Sequence, residues 1–96
     1  MYWLTLPLPR AKSGQAIARA VNAAIDVAAQ PYRSQVRVLD MTDVFTPGGR
    51  YRAAMNVNGR ETLVREADGI HLNEAGARVA LDIVRARLRA DFAKLG

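Results

Sequence analysis

The segment Asp68-Gly69-Ile70-His71, continued by Leu-Asn-Glu-Ala-Gly at residues 72–76, decides how the rest of this sequence is interpreted. It holds the only histidine of the chain, and a carboxylate stands three residues before it. Gly69 permits a tight turn that can bring the Asp68 carboxylate onto an imidazole nitrogen of His71. An aspartate that orients a histidine is half of a nucleophile–base–acid triad. Asp68 and His71 are therefore the candidate catalytic residues.

The composition bounds the size and the class of the protein. Ninety-six residues, 50% of them hydrophobic, support one small globular domain. The absence of cysteine excludes disulfides and thiolate metal sites. No apolar run reaches the ~18–20 residues of a membrane span, and no signal-peptide pattern is found. The net charge is +5, but the arginines are spread along the chain, so we expect no nucleic-acid partner.

Two apolar segments predict a parallel sheet. Residues 2–7 read as a strand, and their continuous apolarity suggests a strand covered on both faces. Residues 36–40 read as a second strand. Between them, Ser13 is expected to cap a helix that runs to about Ala29. A strand, a helix and a strand within about forty residues form a βαβ unit.

This helix has an amphipathic pattern, with apolar residues at three- and four-residue steps. The expected inner face consists of Ile17, Val21, Ala24, Ile25 and Ala28. Gln15, Arg19, Asn22 and Asp26 are expected on the solvent side. Asp40, at the carboxyl end of the second strand, is expected to cap a short turn at residues 42–45. The alternative is a ligand-binding role, because open α/β sheets bind ligands at that end.

The second half of the chain predicts a hairpin and a long helix. Asn58-Gly59 favours a hairpin turn between residues 51–57 and 62–65, outside the main sheet. Asn73 is expected to cap a helix over about residues 74–94. Its predicted apolar stripe consists of Ala77, Leu81, Val84, Leu88, Phe92 and Leu95. Beside that stripe lie Arg78, Asp82, Arg85 and Arg89, with Asp82 expected to pair with Arg78 or Arg85.

Residues 68–76 resemble the last conserved block of the SGNH (GDSL-type) hydrolases, D-G-x-H-x-x-x-x-G, at every fixed position. Residues 2–7 resemble the penultimate core strand of that family, and residues 36–40 resemble its last strand. The Gly49-Arg50-Tyr51 loop and the hairpin resemble an insertion in a subgroup. The resemblance implies an α/β fold, namely the C-terminal part of a flavodoxin-like three-layer α/β/α sandwich with a β-hairpin insertion. Residues 1–96 would then be a single, truncated domain.

The resemblance also implies roles for the candidate residues. Asp68 would orient His71, which would act as general base and then as general acid in an ester or acyl hydrolase. The family's G-D-S nucleophile segment, and the glycine and G-x-N asparagine of its oxyanion hole, have no counterpart here. Because an oxyanion-hole donor supplies about 3–4 kcal/mol, we expect the chain alone to be inactive. The resemblance implies no cofactor, and many family members act outside the cytoplasm on cell-envelope or lipid esters.

Three alternatives remain open. Ser13 follows a strand and opens a helix, as nucleophile-elbow serines do, but the flanking glycine pattern is missing. His71, Asp68 and Asp40 are an alternative nitrogen–oxygen metal site, although one histidine and no cysteine disfavour zinc. The third is a non-catalytic assembly module of the same fold. Its basis is the exposed edge of residues 2–7, which invites self-association or complementation by an N-terminal segment.

Overall fold

The computed structural model describes residues 1–95, apart from the side chains of residues 94 and 95. It confirms an α/β fold. The strands are β1 (Tyr2–Leu4), β2 (Arg37–Leu39), β3 (Ala54–Val57) and β4 (Arg60–Leu63). The helices are α1 (Lys12–Ala29), α2 (Met41–Phe45) and α3 (Glu74–Leu95), and 3₁₀ turns lie at Gln30–Tyr32 and Pro47–Gly49. No helix within residues 1–95 is both long enough and apolar enough to span a membrane.

Strands β1 and β2 form the predicted parallel pair, with Trp3 opposite Val38. Strand β1 is shorter than the predicted strand of residues 2–7. Beyond it, the Asn22 side chain on α1 accepts a hydrogen bond from the Leu6 N–H (2.7 Å) and donates one to the Leu6 carbonyl (2.9 Å). The expectation that Asn22 lies on the solvent side is therefore wrong, because the residue is half-buried. Its amide satisfies the backbone N–H and carbonyl of Leu6, as the backbone of a neighbouring strand would.

The predicted cap of α1 is wrong, and of its predicted inner face only Ile25 is half-buried. The helix begins at Lys12, one residue before Ser13, and the N-cap residue Ala11 makes no side-chain hydrogen bond. Ile17 is 67% exposed and Val21 is 38% exposed. The fully buried residues of α1 are Ala18 and Ala29. The physical reason is the width of the sheet, because two short strands cover less surface than the apolar face of an 18-residue helix offers.

The core lies between α2, the hairpin and α3. Its buried centre consists of Leu39, Met41, Phe45 and Val64. Helix α3 packs on this centre through Val79, Ala80, Ile83 and Val84.

Of the predicted stripe on α3, only Val84 belongs to this contact surface. Leu81, Leu88 and Phe92 are 47%, 42% and 64% exposed, and the side chain of Leu95 lies outside the described residues. The rotation of the helix is set by Gly76, which approaches the Val64 carbonyl and turns the positions three, four, seven and eight residues later toward the core. The predicted pairs of Asp82 are wrong as well, because no ion pair within residues 1–95 includes Asp82. Arg78 pairs with Glu74 instead, at 3.7 Å.

The predicted hairpin is confirmed. Strands β3 and β4 pair antiparallel in a sheet of their own. Asn58 and Gly59 have φ angles of 52° and 85°, as a two-residue hairpin turn with both central residues left-handed requires. The Asn56 side chain supports the turn by accepting a hydrogen bond from the Gly59 N–H at 2.9 Å.

Candidate active site

The candidate site is a closed turn between β4 and α3. The Glu66 N–H donates to the His71 carbonyl at 2.8 Å, and the Gly69 N–H donates to the Glu66 carbonyl at 3.1 Å. Gly69 has a φ of 72°, a conformation that glycine adopts without strain. The turn therefore has a fixed backbone before any side chain contributes.

Asp68 and His71 meet inside this turn. One carboxylate oxygen of Asp68 accepts from the backbone N–H groups of Ile70 (2.8 Å) and His71 (3.1 Å). The other lies 2.6 Å from Nδ1 of the His71 ring. A carboxylate is an acceptor, so in the neutral imidazole this contact assigns the proton to Nδ1 and leaves the lone pair on Nε2.

The same contacts set the charge of Asp68. The pKa of this carboxyl is lowered from 3.8 to about 2, first by the hydrogen bond from the His71 ring and then by those from the Ile70 and His71 amides. Asp68 is thus ionised at neutral pH. An ionised carboxylate on Nδ1 is what stabilises an imidazolium in a triad.

The imidazole is open to its surroundings. The His71 side chain is 74% exposed, and that of Asp68 is 43% exposed. Within the described residues, the ring makes one side-chain hydrogen bond, the bond to Asp68. Ser13 and Ser34 are exposed, and neither hydrogen-bonds to His71. The structure therefore brings the predicted base and its orienter together, and brings no serine to them.

Helix α3 is anchored directly behind the turn. The Asn73 side chain accepts from the Gly76 N–H (2.9 Å), which confirms it as the N-cap. It also donates to the Leu63 carbonyl (2.9 Å), and its backbone N–H donates to the Val64 carbonyl (3.0 Å). Because Asn73 follows His71 by two residues, these bonds fix the turn to the end of β4.

Sequence reasoning missed Arg65. This arginine is 1% exposed and lies with its guanidinium 4.9 Å from the centre of the Tyr51 ring. It donates to the Ile70 carbonyl inside the turn (3.2 Å) and to the Leu8 carbonyl after β1 (2.7 Å). The one available signal was its place next to the apolar Val64 before the motif, which does not distinguish it from the other arginines.

Asp40 has the predicted capping role. Its carboxylate accepts from the Thr42 backbone N–H at the start of α2 (2.9 Å), from the Thr42 hydroxyl, and from the Thr5 hydroxyl (3.2 Å). These hydrogen bonds, led by that of the Thr42 hydroxyl, hold the pKa of Asp40 below its ordinary value. Across residues 1–95, no three His, Cys, Asp or Glu side chains cluster closely enough to hold a metal ion, so Asp40 does not join Asp68 and His71 in such a group.

Taken together, these features define the class: an α/β protein with an aspartate–histidine pair in a rigid turn before a helix. The family model described as "Protein of unknown function (DUF459)" matches residues 1–87, and the chain belongs to that family. The family is related to SGNH-type hydrolases. No curated protein matches the chain.

Proposed function

We propose that this chain is the Asp- and His-bearing C-terminal part of a serine ester or acyl hydrolase of the SGNH type. The observation that carries the proposal is the 2.6 Å contact between Asp68 Oδ2 and His71 Nδ1, made while the other carboxylate oxygen is held by two backbone amides. This geometry is that of an oriented general base. The serine and the oxyanion hole would come from a complementary N-terminal segment.

The proposed reaction runs through Nε2 of His71. A serine hydroxyl gives its proton to Nε2 as its oxygen attacks the acyl carbon, and Asp68 stabilises the resulting imidazolium through Nδ1–H. The imidazolium then protonates the departing alkoxide, which leaves an acyl-enzyme. Water repeats the sequence, losing a proton to Nε2, and its attack releases the acid and restores the serine. The alcohol and acid that flank the ester are set by residues outside this segment.

The accessible surface of the chain is larger than that of a compact monomer of the same length. The accessible surface is 6728 Å², against roughly 5,400 Å² for a compact monomer of this length. The radius of gyration is 14.3 Å, against roughly 12–13 Å for a compact domain. The excess surface, roughly 1,300 Å², is of the order that a stable interface buries.

The excess lies partly on α1 and on the segment that follows β1. Ile17 and Val27 are 67% and 65% exposed, and Leu6 is 45% exposed. Within residues 1–95, β1 pairs with β2 alone, so its second edge carries no strand. All-parallel sheets occur almost only where both faces are covered. We infer that a complementary N-terminal segment pairs with the Tyr2–Leu4 edge and covers the exposed face of α1, and that isolated chains associate through the same edge.

A non-catalytic assembly module of the same fold is the second candidate. The open edge of β1 favours it equally, because strand pairing needs no catalytic residue. The two candidates differ in whether the complementary segment contains a nucleophilic serine and oxyanion-hole donors.

The test is turnover of a chromogenic acetyl ester by two proteins: the 96-residue chain, and the longest natural polypeptide or complex that contains it. We expect turnover only in the second, with loss of activity in His71→Asn and a large decrease in Asp68→Asn. Ser13→Ala is the matched control and should retain full activity. Robust serine-dependent turnover by the 96-residue chain would contradict the proposal, as would full activity of His71→Asn. The absence of turnover in both proteins would favour the assembly module.

A further inference from the structure

Arg65 is a buried cation without a carboxylate partner. Its side chain is among the most deeply buried in the described residues, and no ion pair within residues 1–95 includes it. Its Nε is buried and unpaired. Burial lowers the pKa of its guanidinium, although the nearby Tyr51 opposes this. A buried charge without a counter-ion destabilises the fold. The other contacts of Arg65 must therefore offset that cost.

Those contacts join two segments that are far apart in sequence. One terminal nitrogen donates to the Leu8 carbonyl, and the other donates to the Ile70 carbonyl, the residue immediately before His71. The planar guanidinium offers its donors in a fixed fork, which a lysine or an apolar side chain cannot reproduce. The Tyr51 ring lies against the guanidinium and holds its plane.

The loop after β1 and the turn are also joined by Arg10. Its backbone N–H donates to the Gly69 carbonyl at 2.8 Å, and its guanidinium donates to the Ala67 carbonyl at 3.3 Å. Leu8, in the same loop, has a buried side chain that is 2% exposed. Hydrogen bonds therefore hold the loop to the turn and to Arg65, and the buried side chain of Arg65 connects the loop to the residue preceding the base.

We propose that Arg65 is a positioning residue, which holds the Ile70–His71 peptide so that the imidazole stays on Asp68 and presents Nε2 to a nucleophile. The catalytic part of this role rests on the proposed function. The structural part, that Arg65 fixes the Asp68–His71 contact, is independent of it. Within residues 1–95, Arg65 hydrogen-bonds to the Ile70 and Leu8 carbonyls and forms no ion pair with Asp68, so it acts through the backbone of the turn.

The test is NMR on the isotope-labelled 96-residue chain, in which the single histidine gives unambiguous ring signals. The readouts are the titration midpoint of the Asp68 side-chain carboxyl carbon and the ring ¹⁵N shifts that report the His71 tautomer. In the wild type we expect a midpoint of about 2 and an Nδ1–H tautomer. Arg65→Met should move the midpoint toward the ordinary 3.8 and mix the tautomers. Arg65→Lys should give a smaller change in the same direction.

Arg60→Met is the matched control, because Arg60 is exposed on β4 and its side chain forms no ion pair within residues 1–95. It should leave both readouts at the wild-type values. Wild-type readouts in both folded Arg65 variants would overturn the proposal and reduce Arg65 to a packing residue. Loss of folding in both variants, seen in the helical circular dichroism signal, would overturn it too. A hydrolase assay that fails leaves these NMR results unaffected, so the two proposals fail separately.

Discussion

The carbonyl oxygen of Val64 occupies the space that a Cβ atom on Gly76 would need. Helix α3 thus approaches the end of β4 more closely than any side chain permits. The same carbonyl accepts the Asn73 N–H at 3.0 Å, so one oxygen atom fixes both the cap and the first turn of the helix. The glycine that closes the D-G-x-H-x-x-x-x-G pattern is therefore required by packing, and it places the helix behind His71.

Gly76→Ala should lower the free energy of unfolding. The added methyl group meets a backbone oxygen that cannot rotate away, and overpacking of this kind costs about 1–3 kcal/mol. Urea denaturation measures the change. Ala77→Gly, at the exposed neighbouring position, is the control and should cost about 1 kcal/mol through helix propensity alone. A Gly76→Ala chain as stable as the wild type would show that the close approach is not maintained in solution.

Asn73 and Ser13 give a matched pair of helix-start variants. Asn73→Ala removes the cap of α3 and should cost about 1 kcal/mol. Ser13→Ala should be neutral, because the side chain of Ser13 is exposed within the first turn of α1 and caps nothing. Thermal denaturation of both variants checks the ranking. If Ser13→Ala destabilises the chain as much as Asn73→Ala does, then Ser13 caps α1 in solution, as the sequence predicted.

Asp68 should make stability depend on acid pH. Its pKa is about 2 in the folded chain and 3.8 ordinarily, so the folded chain binds this proton less tightly than the unfolded chain does. Asp68 therefore stabilises the fold fully above pH 3.8, and that contribution is lost as pH falls through about 2. Asn retains an acceptor for the backbone amides but has no charge to titrate.

Melting temperatures of wild type and Asp68→Asn, measured from neutral pH downward, test this dependence. The wild type should be the more stable protein at neutral pH, and the difference should shrink between pH 3.8 and about 2. Asp26→Asn, at an exposed position on α1, is the control and should run parallel to the wild type. A constant difference between wild type and Asp68→Asn would exclude the depressed pKa.

The open edge of β1 should make the isolated chain self-associate. Sedimentation velocity of the wild type should show dimers or larger species that dissociate on dilution. Leu4→Lys, at a 37% exposed position of β1, should shift the population toward monomer, because a lysine on an edge strand opposes pairing. Leu63→Lys, at a 59% exposed position of the separate hairpin, should not. A monodisperse wild-type monomer would contradict the inference about this edge.

Local chemistry made part of the fold predictable from the sequence. Asn58-Gly59 permits few conformations other than a hairpin turn, and Asn73 and Asp40 cap the helices that follow them. The Asp68–His71 contact was predictable for the same reason, since three residues and a glycine suffice to form it.

What the sequence did not reveal depends on contacts between distant segments. Ile17 and Val21 have helical periodicity, but which face of α1 is buried depends on how many strands lie beneath it. The helical periodicity puts Asn22 on the solvent side, and its hydrogen bonds to Leu6 depend on a packing that the sequence does not show. Arg65 resembles any other arginine until the loop at Leu8 and the turn at Ile70 meet around it.

We propose that His71 is the base for a nucleophilic serine that lies outside residues 1–96. The most direct measurement is mass spectrometry of the protein trapped during turnover of an acyl ester, with peptide mapping of the acylated residue. For the longest natural polypeptide or complex, we predict acylation of a serine outside residues 1–96, abolished by His71→Asn. Acylation of Ser13 or Ser34 during turnover by the 96-residue chain would contradict this proposal. So would acylation that His71→Asn leaves unchanged.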